Sequence, residues 1–567
     1  MRIALIGGGP SALFVYKRLC ESGQPDLKVD IYELSDRLGV GMPYGPSGAG
    51  PEHVTNVSSS ELPPLPWSLQ GWLESQPAQT LQKYGVQPQR LHEDRVVPRL
   101  LFGDYLEAQF EELIRQGSVQ TQVHRLARVS DLRDRPESEE VEVTSSLGSI
   151  AYDRVVICTG HNWPRPHEGQ VEGYFDSPYP PQKLRSVRNH PVALRGSSLT
   201  AIDAVRTLAL ANGEFLPTDN GELAYRVDPD CSEFRIVMHS RNGLLPCVRI
   251  HLDDPQVTDD DLLQRPDWLK VREANDGFVP LDLFFEEDFK KPLAGKDPGL
   301  YETIRSLNLE QFVEAALKPR EERDPFETFQ AEYQQSLESL ESGTAVHWKE
   351  ALSVLSFALN YPAKHFSAED SLRLSKTLSP LIAIVIAFVP HSSAQQMLAL
   401  HRAGRLSLVE AGEDSSVEVR DGGIFYQTSK ETVWYRTFVD CVGQPALQVD
   451  GLPFPTLREQ GVVRPARLRF RTAQAAQQQQ KEQPDRVQRD PDGSYHLLVP
   501  GIAINDSYQP LDEGNQPNPR LAIMAVPYIG GHNPDYSGLD FCEKASELIV
   551  DGLLKGPAPS PYSGSSA

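Results

Sequence analysis

The sequence predicts an α/β fold, and three stretches carry that expectation. An apolar run at residues 3–6 flows into Gly7-Gly8-Gly9-Pro10-Ser11-Ala12 and a helical pattern over 11–22. The same order returns at residues 192–210, and a buried run at 521–526 leads through a glycine-rich turn into a helical pattern over 539–554. Strand, tight turn and helix in repeated succession argue for parallel sheets covered by helices.

The first unit is the most informative. Gly7 permits the turn, Gly9 lets backbone approach a pyrophosphate, and Ala12 is the third small position, where the helix packs on the strand. Residues 28–33 (KVDIYE) read as a second strand. Its last residue, Glu33, lies about 20 residues beyond the glycines, where an acceptor for ribose hydroxyls is expected. The chain then runs through Leu38-Gly39-Val40-Gly41-Met42-Pro43-Tyr44-Gly45, a glycine-rich apolar loop suited to a flat, mostly apolar ring. The expected nucleotide is therefore FAD rather than NAD. Residues 43–65, with Asn56 among them, read as an ordered loop over that cofactor.

Helical patterns follow at 67–74 and 102–116, and residues 119–158 alternate like an antiparallel meander that ends in a buried strand stopping at Thr159-Gly160. Near residue 192 a degenerate second fingerprint begins: Gly196-Ser197-Ser198-Leu199-Thr200-Ala201 follows a strand, with serine in place of the middle glycine. The next strand, 234–238, ends in His239-Ser240-Arg241. A Ser240-Arg241 pair in place of an acid accepts a 2′-phosphate, which favours NADPH over NADH. Residues 212–232 read as an insertion.

Residues 255–404 are charged and helical, with helices expected at 300–317, 325–342, 346–359, 379–389 and 392–403. Ser379 reads as the N-cap of the fourth, with Pro380 at its first position. Strands return at 406–409 and 434–441, and the glutamine-rich 474–480 reads as an exposed polar segment. The turn Asp535-Tyr536-Ser537 precedes the last helix, whose opening N–H groups suit a phosphate or the pyrimidine side of a flavin. Together these readings give two Rossmann-like dinucleotide-binding domains, for FAD and NAD(P), with a helical insertion. The FAD-binding domain takes residues 1–185 and 435–555, and the NAD(P)-binding-like domain takes 186–254 and 405–434. The insertion at 255–404 is a candidate substrate cap, and 556–567 a disordered tail.

Composition narrows the partners. A chain of 567 residues exceeds what one core usually supports. Its net charge of −23 argues against electrostatic binding to nucleic acid or to an anionic membrane. Six widely spaced cysteines without a C-x-x-C pair exclude a dithiol centre or zinc knuckle, so no metal is expected. They read as reduced thiols of a cytoplasmic protein. The first strand starts at about residue 2, which leaves no room for a signal peptide. The longest apolar run, 381–389, is too short for a membrane span. Nothing in the sequence sets the oligomeric state.

The succession GGGPSA, GVGMPYG with TNV, VPRLLFGDYL, VICTGHNWP with YFDSPYP, GSSLTAIDA, SRNGLLP and NPDYSGLDF resembles the large FAD/NAD(P)-binding proteins related to flavin-dependent monooxygenases. That family includes an aspartate N-monooxygenase that makes nitrosuccinate. The resemblance implies FAD contacts at Gly7, Gly9, Pro10, Ser11, Glu33, Asn56, Gly160, Asp535, Tyr536 and Ser537. It implies nicotinamide-nucleotide contacts at Gly196, Ser198, Thr200 and Arg241. The implied chemistry is hydride transfer from NADPH or NADH to FAD. Molecular oxygen then reacts through a flavin C4a-hydroperoxide with a small substrate such as an amino acid or amine, and no protein nucleophile takes part. Two alternatives stay open: an NAD(P)H-dependent flavoprotein reductase without oxygen insertion, and a non-catalytic flavin-binding interaction protein.

Overall fold

The computed structural model describes residues 1–555 apart from 91, 93, 220, 259, 260, 421, 536 and 537. The expectations for Tyr536, Ser537 and the tail 556–567 lie outside the described residues.

Ten strands build two five-stranded sheets in which all neighbours run parallel. In chain order they are β1 (Arg2–Ile6), β2 (Lys28–Tyr32), β3 (Gln120–His124), β4 (Arg154–Ile157), β5 (Tyr174–Phe175), β6 (Pro191–Arg195), β7 (Arg235–Ser240), β8 (Leu406–Glu410), β9 (Thr437–Asp440) and β10 (Leu521–Ile523). The first sheet has the order β10-β4-β1-β2-β3 and the second β8-β7-β6-β9-β5. Each fingerprint strand, β1 or β6, is thus central. Ile3, Ala4 and Leu5 of β1 and Val192, Ala193 and Leu194 of β6 are wholly buried, the continuous apolar run expected of a strand covered on both faces.

Helix α1 (Pro10–Glu21) follows β1 and α2 (Leu199–Ala211) follows β6. In the helical middle region α3 (His347–Ala358) buries Leu352 and Leu355, and the chain closes with α4 (Leu539–Lys555). Helices α1 and α4 lie side by side, with Lys17 Nζ 2.8 Å from Glu543.

The structure differs from the sequence reading at several places. The supposed meander splits: β3 joins the parallel sheet beside β2, while 129–135, 140–145 and 148–152 form a separate antiparallel sheet. The strand expected at 434–441 is two, because Thr432–Tyr435 belongs to a hairpin sheet and β9 to the second parallel sheet. β5 and β9, read as parts of the first unit, therefore hydrogen-bond in the second. Residues 213–217 and 223–227 are a hairpin.

The helix expected over 300–317 breaks into Pro298–Ile304 and Leu309–Glu321, because Asn308 and Gln311 form a reciprocal capping box that starts a new helix. Ser379 is not an N-cap. It continues from a wide turn at Leu374–Leu378, and the helix stops at Val385, so that Val389 bridges to Val248. The glutamine-rich stretch is a helix, Ala473–Glu482, capped by the Thr472 hydroxyl, with Ala476 and Gln479 buried. Periodic burial at i and i+3 is hard to see where most residues are glutamine.

Candidate functional site

The two fingerprint turns share one backbone plan. Gly7 N–H donates to Tyr32 O at 2.8 Å, and Gly196 N–H donates to His239 O at 2.7 Å. Gly7 has φ +107°, and a Cβ there would sit 2.5 Å from Cys158 O; Gly196 has φ +112°, and its Cβ would sit 2.8 Å from Cys441 O. Only glycine tolerates both the torsion and the approach. In this register Gly9 corresponds to Ser198, Ser11 to Thr200, and Glu33 to Ser240.

The first cradle fits a dinucleotide. Gly9 is the N-cap of α1 with extended torsions and makes no side-chain capping bond, so the opening N–H groups are left for an anionic ligand. Pro10, the first helical residue, lacks an N–H, and Ala12 is wholly buried against the sheet. Gly41, at φ +53°, approaches so closely that a Cβ on it would lie 2.9 Å from Pro10 Cδ. Glu33 is buried and accepts from Gly8 N–H at 2.8 Å and Ser35 N–H at 2.6 Å. Its remaining lone pairs can accept ribose hydroxyls. Gly160, just past β4, is exposed.

The second cradle keeps the turn and changes the chemistry. Ser198 is an exposed N-cap of α2 and makes no side-chain capping bond, with Thr200 in the first turn. Ser197 Oγ donates to Leu244 O at 2.8 Å, which fixes the turn to the segment after β7. At the end of β7 the Ser240 hydroxyl is buried without a hydrogen-bond partner among the described residues, and Arg241 is exposed beside it. An orphaned hydroxyl next to an exposed guanidinium suits a phosphorylated ribose.

The carboxyl-terminal turn meets the first cradle. Ser11 Oγ lies 3.8 Å from Cys542 Sγ, so α1 and α4 begin next to each other. Asp535 is held by the helical region: Ser356 Oγ donates to its carboxylate at 2.7 Å, and Asn360 Oδ1 accepts from its N–H at 2.8 Å. Burial holds the Asp535 carboxyl above the usual carboxylate range, although the Ser356 bond works against it. The Asn56 loop is tied to the second unit by buried Arg249, which donates to Asn56 O at 2.5 Å and pairs with Glu61.

Asn56, Ser198 and Asp535 converge on one cavity of about 360 Å³. Its remaining wall comes mainly from the helical region, with Ser356 and Leu359 at the end of α3 and Ile382 and Ile386 after it. Gly7, Gly9, Pro10, Ser11, Glu33 and Gly41 stay together in the first cradle, while Gly196, Ser197, Thr200, Ser240 and Arg241 stay in the second.

Several residues that shape this junction carry no sequence signal. Buried Asp203 on α2 pairs with Arg99, accepts from Tyr179 OH at 2.7 Å, and through its main-chain oxygen lies 3.2 Å from His53 Nε2. Burial opposes ionisation of Asp203, but Arg99, His53 and the tyrosine bond hold its carboxyl below the usual range. This network clasps the second unit to the first. The spacing of Ile382 and Ile386 at i and i+4 marks an apolar helix face, but nothing in it says that the face borders a cavity.

Comparison with known proteins bears on these regions. Residues 4–162 match the family model described as FAD-NAD(P)-binding, and residues 267–386 match the YdhS-like middle domain, which accounts for much of the helical region. The uncharacterized protein YdhS of Escherichia coli (strain K12) is 27% identical over 564 residues, covering 98% of this chain and 97% of that one. Solved structures that align over nearly the whole chain include an ornithine N-hydroxylase from Kutzneria sp. 744, 14% identical with TM-score 0.43 and 98% of both chains covered. Another is the FAD-bound cadaverine monooxygenase DfoA from Erwinia amylovora, 11% identical with TM-score 0.45, covering 100% of this chain and 96% of that one. The matched segment 4–162 contains the first glycine cradle and Glu33, and it is accordingly an FAD-NAD(P)-binding domain.

Proposed function

We propose that the protein is an NAD(P)H-dependent oxidoreductase, acting as a monooxygenase on a small amine or amino acid. The observation that carries this reading is the shared cavity, where the Asn56 loop and the Asp535 turn meet Ser198 of the second cradle and the helical region. Its volume of about 360 Å³ lies in the range of small-molecule sites.

Bound FAD supplies hydride acceptance and the activation of oxygen. The chain's own residues do the rest. Gly7, Gly9 and the opening of α1 hold the diphosphate, Glu33 accepts the ribose hydroxyls, and Gly41 lets the apolar loop lie close. Ser240 and Arg241 orient the nicotinamide nucleotide by its phosphorylated ribose, and Ser198 opens α2 at the cavity wall. Leu359, Ile382 and Ile386 exclude water from the space between. Asp535 is the one acidic group on the wall among the described residues. Its carboxyl is kept high by burial, and a substrate ammonium beside it would restore the charge. The helical region serves as the substrate cap.

The test is to purify the protein with FAD, screen amino acids and amines for stimulated NADPH oxidation, and measure hydroxylated product by mass spectrometry. Substrate-dependent NADPH consumption with one oxygen atom added to the product supports the proposal. NADPH consumption with no oxygenated product from any amine overturns the monooxygenase reading and leaves a reductase. No NADPH oxidation at all overturns both.

A further inference from the structure

We propose that Asp253, His347 and Glu350 bind one divalent cation of the zinc or manganese class, at the end of α3 remote from the cavity. The three side chains come from two places in the chain. His347 and Glu350 stand at i and i+3 on the first turn of α3, on one face of the helix, and Asp253 reaches them from the segment that follows β7. One ligand atom from each lies within 4.8 Å of the others. His347 Nδ1 is 3.7 Å from Asp253 Oδ2 and 3.9 Å from Glu350 Oε2. A shell with bonds of about 2.1 Å places its ligand atoms roughly 3–4 Å apart, so small side-chain movements close it.

A second observation makes this more than a group of acids. Glu350 is 3% exposed, and its Oε2 has no hydrogen-bond partner among the described residues; neither has the buried Nδ1 of His347, which faces it. Buried polar atoms of that kind call for an unseen partner. Glu350 Oε1 is already used, accepting from Asp254 N–H at 2.8 Å, whereas Oε2 makes no hydrogen bond among the described residues and has Lys296 Nζ only at ion-pair distance, 3.7 Å. Charge agrees with this. Asp253, Asp254 and Glu350 carry three negative charges against one positive charge on Lys296, whose Nζ is 3.7 Å from Glu350 and paired with Asp254. With Asp261 also acting on Lys296, the surroundings stay net negative, which favours a divalent cation. One imidazole with two carboxylates favours zinc or manganese over magnesium, which prefers an all-oxygen shell. Asp253 and His347 are open enough for the ion and its water ligands to enter, at 41% and 24% side-chain exposure.

A cation here would clamp α3 to the segment after β7. The far end of α3 carries Ser356, and Asn360 follows it, the two residues that hold Asp535 at the cavity. The site itself is independent of the reaction proposed above.

The test uses the flavin-loaded protein, stripped with a chelator and titrated calorimetrically with ZnCl2 and MnCl2. The expected result is one saturable equivalent, lost or weakened at least about tenfold in both His347→Ala and Asp253→Asn. Neither residue is deeply buried, so an unchanged visible spectrum and circular dichroism will show that the variants fold. No saturable equivalent of either metal in the wild type overturns the proposal. So does one equivalent bound equally well by both variants, which would locate the ion elsewhere.

Discussion

The two glycine cradles share their backbone hydrogen bond, glycine torsion and helix opening and diverge in the side chains. Both have a central strand, a glycine at φ above +100° pressed against a carbonyl, and a helix whose N-cap makes no side-chain bond. The first places buried Glu33 where the second has Ser240, and continues with Leu34 where the second has Arg241. The first is also joined by α4 beside α1, whereas α2 is clasped through Asp203 to Arg99 and Tyr179. The difference teaches where to look for selectivity: the shared turn is the proposed nucleotide cradle, and the residue ending the next strand is the proposed selector.

The comparison is easiest to break at the glycines. Gly7→Ala meets Cys158 O in a torsion closed to other residues, and the expected cost is about 3 kcal/mol with loss of FAD, read by urea unfolding and flavin content. Gly196→Ala is expected to keep its FAD and lose NADPH affinity. If both variants lose flavin alike, the cradles do not hold different nucleotides.

Next in size is a pH effect from the strand that follows the second cradle. At the place of Tyr32 it has His239, 2% exposed and stacked on Tyr426 at 4.1 Å; burial pushes its imidazole down to about 4 from 6.5. A histidine with a depressed folded value takes up its proton more readily when unfolded. Its contribution is therefore complete above about pH 6.5 and is lost as the pH falls towards 4, by up to about 3 kcal/mol. Thermal unfolding of His239→Phe is expected to be less sensitive to pH over that window than the wild type. Equal sensitivity would remove His239 as the cause.

The strand-end residues give smaller effects. Glu33→Gln weakens two charge-assisted bonds and is expected to raise the FAD dissociation constant about tenfold, or about 1.5 kcal/mol, measured by flavin fluorescence. Arg241→Ala is expected to raise the KM for NADPH about threefold to tenfold and to leave that for NADH unchanged, since exposed charges contribute modestly. A parallel change for both coenzymes would mean that Arg241 does not read the 2′-phosphate.

What was legible in the sequence follows from how local the cause is. A glycine turn between an apolar run and a helix is fixed within about a dozen residues, so both cradles and the helix Pro325–Ser342 could be read directly. The pairing of β5 and β9 with the second sheet could not, because strand partners are chosen by distant segments. The helix break at Asn308 was written in its capping box but masked by the apolar periodicity on either side. Asp203 meeting Arg99 and the cavity lined by Asn56, Ser198 and Asp535 join positions a hundred residues apart or more, and no local pattern announces them. The orphaned atoms of Glu350 and His347 appear only once Asp253 is brought beside them.

The most direct test of two cradles serving one cavity is an anaerobic titration of the flavin-loaded protein with NADPH, followed by visible absorbance, for the wild type and Gly196→Ala. The account predicts bleaching of one flavin per chain by one equivalent of NADPH in the wild type, and bleaching only at much higher NADPH in the variant. A protein that takes up no FAD, or a bound flavin that NADPH leaves oxidised, would contradict it.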